Sequence, residues 1–158
     1  MDFRKEFVKI LLDMMDRDKK IILLSGDLGF GILEIIKEKY PNRFINCGIA
    51  ECNMIGVASG LALGGFKPYV YSNTIFLLMR GYEFIRDEVC YNNRNVKLIG
   101  TGASGFLGFS HNLEGKENEY DLLKNLPNIK YYEPKSGGEL GDIMLYSYSR
   151  REPAYIKL

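Results

Sequence analysis

Short runs of branched and aromatic apolar residues recur along this chain, each ending in a polar or glycine-rich turn and each followed by a helical pattern. The runs are "KIILLSGD", "RFINCG", "KPYVY", "NVKLIGTG", "IKYYEP" and "PAYIKL". A continuous apolar run of this length reads as a strand buried on both faces, which is the habit of parallel sheets. Between them, residues 3–16 set Phe3, Phe7, Leu11 and Met14 on one helical face, and residues 76–91 do the same with Leu78, Tyr82, Ile85 and Val89. Further helices are expected over 32–39, 51–64, "EYDLLKNL" and 137–149, the last aligning Leu140, Met144 and Tyr148. The stretch 51–64 is apolar on most sides and is expected to be buried. Strands alternating with helices predict an α/β fold, a three-layer sandwich around a mainly parallel sheet. Neither a repeat nor a linker interrupts the pattern, so residues 1–158 are expected to form one domain.

Composition narrows the function. A net charge of +1 supplies no basic field for nucleic acid or an anionic membrane surface. No apolar run approaches the roughly 20 residues that span a bilayer. The start, "MDFRKEF", is charged and lacks the apolar core of a signal peptide. Cys47, Cys52 and Cys90 have no metal-binding spacing and fit free thiols of a reducing compartment, so a cytoplasmic location is expected.

In open α/β sheets, ligands bind outside the carboxyl ends of the strands. Three strand tips qualify: "SGDLGFG", "NCGIAE" and "GTGASGFLGFSH", the last opening a long glycine-rich loop over 102–116. Glu51 follows a strand and opens a helix. Acids are favoured in a first helical turn, where they meet free N–H groups and the positive end of the dipole. The residues that follow, Cys52, Asn53, Met54, Ile55 and Gly56, take this helix into an apolar setting, and burial favours the protonated form of a carboxyl. Acids in such settings are often functional.

The stretch "INCGIAECNMIGVASGLALGGFKPYVYS" resembles the pyrimidine-binding domain of the transketolase family of thiamine diphosphate enzymes, and "FLLMRGYEFIRDEV", "NVKLIGTGASG", "SHNLEG" and "LPNIKYYEP" continue the resemblance in order. It implies that Glu51 hydrogen-bonds N1′ of the cofactor's aminopyrimidine, favouring the tautomer whose exocyclic nitrogen takes the proton from C2 of the thiazolium. It implies that the Phe76 ring stacks on the aminopyrimidine, with Ile49 and Asn73 beside it. Asn73 stands where many members carry another aromatic. His111, the single histidine, is placed by the resemblance against substrate oxygens. Asp27 is placed near the thiazolium, against a plain reading as a turn residue before glycine.

Departures from the family pattern sharpen the expectation. Gly102 stands where members acting on sugar phosphates carry a basic residue, and Phe30 and Gly31 stand near further phosphate contacts. An arginine that follows the last strand would lie beyond Leu158, and nothing resembles the "GDG…N" magnesium motif. The resemblance therefore implies the pyrimidine half of a split enzyme, transferring a two-carbon ketol unit. The thiamine diphosphate and its Mg2+ would be completed by a diphosphate-binding partner subunit in an α2β2 assembly. A carboligase or decarboxylase subunit using a 2-oxo acid donor, and a non-catalytic structural homologue, stand as alternatives.

Overall fold

The computed structural model describes residues 2–102 and 118–158. In chain order these form α1 (Phe3–Arg17), β1 (Ile21–Ser25), α2 (Glu34–Lys39), β2 (Phe44–Asn46), α3 (Glu51–Leu63), β3 (Lys67–Asn73), α4 (Gly81–Phe84), β4 (Lys97–Thr101), α5 (Glu119–Leu123), β5 (Lys130–Tyr132), α6 (Gly137–Ser149) and β6 (Ala154–Lys157). The six strands make one parallel sheet in the order β2-β1-β3-β4-β6-β5.

All five residues of β1 are buried, as a strand covered on both faces requires. Alternate residues feed two cores. Ile22, Leu24, Val70 and Leu98 meet Met54 and Ile55 of α3 together with Leu78 and Ile85. On the other face Ile21, Leu23, Tyr69 and Ile99 meet Phe7 and Leu11 of α1 and Met144 of α6. The three expected layers are therefore present. The start of α1 is fixed by Asp2, whose carboxylate accepts the Arg4 backbone N–H at 3.1 Å.

Two expectations change. The helix expected over 76–91 is α-helical only across Gly81–Phe84, with π-helical turns at Phe76–Arg80 and Ile85–Tyr91 on either side. Such turns recur at functional sites. Helix α3 is not covered on all sides: Glu51, Met54, Ile55, Ala58 and Ser59 are buried, whereas Asn53, Val57 and Gly60 are exposed. The sheet and the neighbouring helix cover one face of α3, and its other face stays open despite an apolar composition.

Lys97 at the start of β4 is 2 % exposed, and its ammonium donates to the carbonyls of Arg150 (3.2 Å) and Glu152 (2.6 Å). Burial brings its pKa down to about 8 from the ordinary 10.5. Between those values the unfolded chain holds a proton that the folded chain does not, so stability rises as pH climbs through that window. From pH 7 to 9.5 the urea-unfolding free energy of the parent should rise by about 2 kcal/mol relative to Lys97→Met. Parallel pH profiles for the two proteins would refute this.

Candidate functional site

The strand order reverses direction at β1: β2 lies on one side of it and β3 on the other. A crevice outside the carboxyl ends of β1 and β3 is the geometric consequence. Glu51 enters that crevice as the first residue of α3, preceded by Ala50, whose side chain offers no cap. The Glu51 side chain is 2 % exposed. The Ser72 hydroxyl, near the end of β3, donates to Oε1 at 3.3 Å. Gly26, just past β1, packs closely at this tip: a Cβ there would stand 3.1 Å from Ser72 Oγ and 3.3 Å from Glu51 Oε1. Burial of Glu51 follows the sequence expectation, but its surroundings are not purely apolar, because Arg80 Nη1 lies 3.6 Å from Oε2.

Arg80 escaped the sequence reading. Its guanidinium also covers the Phe76 ring, with Cζ 4.2 Å from the ring centroid. The two residues are four apart on the first π-helical turn, which places them on one face. That spacing, an aromatic followed four residues later by arginine, was the available signal. The structure thus joins Glu51 and Phe76 through a residue of a third type.

Of the other candidates, Asn73 and Asp27 have partners of their own. Ile49 is 74 % exposed on the loop ahead of α3. Asn73 is buried, and its amide is occupied with backbone: Nδ2 donates to the Gly102 carbonyl at 3.2 Å, and Oδ1 accepts the Ile75 N–H at 3.1 Å. It braces the tips of β3 and β4. Asp27 has a left-handed backbone (φ 59°) and its carboxylate accepts from Asn46 Nδ2 at 2.8 Å, so it ties the tip of β1 to that of β2. Asp27 also lines a small cavity with Phe30, Lys37 and Asn46, whose lining does not include Glu51. Gly102 has φ 68°, a backbone demand that favours glycine whatever the ligand. His111 and most of the loop expected over 102–116 lie outside the described residues.

A buried carboxyl and an aromatic ring are groups that suit an aminopyrimidine, and in this structure the Arg80 guanidinium touches both. Among the described residues no group of three or more His, Cys, Asp or Glu is placed to hold a metal ion, and no helix is long and apolar enough to cross a membrane.

Comparison with known proteins gives the family. The model for "Transketolase, pyrimidine binding domain" matches residues 1–158. One of the subunits of apulose-4-phosphate transketolase from Actinobacillus succinogenes is 35 % identical over 127 residues, covering 80 % of this chain and 40 % of that protein. The 6-deoxy-6-sulfo-D-fructose transketolase subunit SqwH of a Clostridium species is 30 % identical over 156 residues, 98 % of this chain and 48 % of that protein. A solved structure described as a split gene transketolase, inactive beta4 tetramer, superposes with a TM-score of 0.85 at 32 % identity, covering 99 % of this chain and 50 % of that one. The chain thus spans half or less of the length of these relatives. A buried acid at the head of α3, on a parallel sheet of this strand order and over the full length of the family match, makes the chain a member of the transketolase pyrimidine-binding domain family.

Proposed function

We propose that this chain supplies the pyrimidine side of a thiamine diphosphate site in a split, transketolase-like transferase that moves a two-carbon ketol unit. The observation that carries the reading is Glu51, a carboxylate 2 % exposed at the strand-order reversal with a ring-bearing helix beside it. When bound, the cofactor would supply a nucleophilic carbon at C2 of its thiazolium. The residues of this chain would do the rest. Glu51 would hold a proton against a ring nitrogen, with the Ser72 hydroxyl fixing the orientation of its carboxyl. Phe76 would offer a flat apolar face, and His111 would contact substrate oxygens.

The diphosphate and Mg2+ would be held by a partner subunit. Two features support a partner. The relatives are themselves described as transketolase subunits or as a split-gene enzyme. In addition, large apolar side chains stand exposed beside the crevice and along the neighbouring helices, including Ile49 (74 %), Met79 (48 %) and Phe84 (39 %).

Calorimetry with thiamine diphosphate tests this. The chain alone is expected to bind weakly and without dependence on Mg2+, because the charge-assisted contacts to the diphosphate lie elsewhere. Co-expressed with a diphosphate-binding subunit, it should bind tightly, need Mg2+, and turn over a member of a panel of ketoses and 2-oxo acids. Tight, Mg2+-dependent binding by the isolated chain would contradict the split site.

A further inference from the structure

The guanidinium of Arg80 makes both contacts that the reading above gives to the cofactor ring. It lies over the Phe76 ring, with Cζ 4.2 Å from the centroid, and it places Nη1 3.6 Å from Glu51 Oε2. A guanidinium is planar and cationic, with nitrogen atoms at its edge, so it can stack on an aromatic face and meet a carboxylate at the same time. We propose that Arg80 is a displaceable occupant of the pyrimidine site: it holds Phe76 and Glu51 together in the free chain and swings out when the aminopyrimidine enters. The proposal rests on the roles given above to Glu51 and Phe76.

Three features favour displacement over permanent residence. The Arg80 side chain is 48 % exposed, so open solvent is available to receive it. The Arg80 backbone is fixed independently, because the Cys52 thiol donates to its carbonyl at 3.1 Å, so the change is a side-chain rotation that leaves the π-helical turn in place. The positions are also exclusive. The guanidinium covers the Phe76 ring face and meets Glu51 Oε2, the two places that the reading gives to the aminopyrimidine. Ring and guanidinium cannot stack on the same face together.

The contacts given up are a half-exposed ion pair and a cation–π contact, so their release should change affinity by a factor of about three to ten. The test uses thiamine, which carries the aminopyrimidine without the diphosphate, titrated by ligand-detected NMR into the parent chain, Arg80→Ala and Glu51→Gln. Arg80→Ala should bind thiamine about three- to tenfold more tightly than the parent. On saturation of the parent, the Arg80 Nε–H resonance, shifted by the Phe76 ring, should move to the position of a solvent-exposed arginine. Binding by Arg80→Ala that equals or falls below the parent's overturns the proposal, as does an unmoved Arg80 resonance or the absence of thiamine binding to both proteins. Glu51→Gln reports on the underlying reading alone: it should weaken binding, and parent-like affinity there would remove Glu51 from the site whatever Arg80→Ala shows.

Discussion

Replacing Glu51 by Gln is expected to slow deuterium exchange at C2 of thiamine diphosphate, in the assembled enzyme, by about 100- to 10,000-fold, the usual worth of positioned acid–base assistance. The substitution is sterically silent. The amide oxygen still accepts from the Ser72 hydroxyl, now 3.3 Å from the carboxylate, and the side chain remains at the head of α3. What disappears is the ability to share a proton with a ring nitrogen. Thermal unfolding should change little. The ion pair lost with Arg80 involves a half-exposed guanidinium, and exposed pairs contribute about 0–1 kcal/mol. A neutral amide is also cheaper to bury than a carboxylate. Parent-like exchange at C2 would return Glu51 to the simpler role of an acid complementing a helix dipole. Slow exchange accompanied by a large drop in melting temperature would instead mark a folding defect.

The second large effect concerns stability. Gly100 sits in β4 at the middle of the sheet, where a Cβ would stand 1.8 Å from the Tyr155 hydroxyl oxygen, 2.5 Å from its Cζ and 2.7 Å from Thr74 Oγ1. None of these atoms can yield cheaply. Tyr155 and Thr74 are fully buried and share a hydrogen bond of 3.0 Å, and the Tyr155 ring stacks on Tyr131 with centroids 5.7 Å apart. Gly100→Ala should therefore cost about 3 kcal/mol, the upper part of the range for overpacking. For a domain of this size the melting temperature should fall by about 6–12 °C. Tyr155→Phe in the Gly100→Ala background removes the nearest atom and should recover part of the loss. Gly60 is the counter-case: nothing lies within 4 Å of its would-be Cβ in the interior of α3, so Gly60→Ala should stabilise the chain by about 0.4–1 kcal/mol. Equal melting temperatures for the two glycine variants would overturn the packing argument.

Much of this protein was legible from the chain. The apolar run at Ile21–Ser25, the facing residues Phe7, Leu11 and Met14, and the aligned Leu140 and Met144 all appear in the structure on the faces that their spacing required. The start of α3 at Glu51 was equally plain, because a polar strand end followed by an apolar helix marks itself locally. These features are legible because periodicity records which face of an element is buried, and that record is written within a few neighbouring residues.

The identity of what does the burying is another matter. Ser72 and Gly26 come to Glu51 only because β3 pairs with β1, and Asp27 turns to Asn46 only because β2 pairs with the opposite edge of β1. Asn73 gave no sign that its amide would bridge two strand tips. The open face of α3 read as buried because composition reports apolarity without saying whether a covering surface belongs to the same chain. Arg80, four residues from Phe76, was in view throughout, yet its meeting with Glu51 depends on α3 and the first π-helical turn packing side by side. The sequence by itself determined the elements, their buried faces and the acid at the head of α3. The tertiary structure decided that acid's partners, since strand pairing and helix docking join residues far apart along the chain, where no local periodicity carries information.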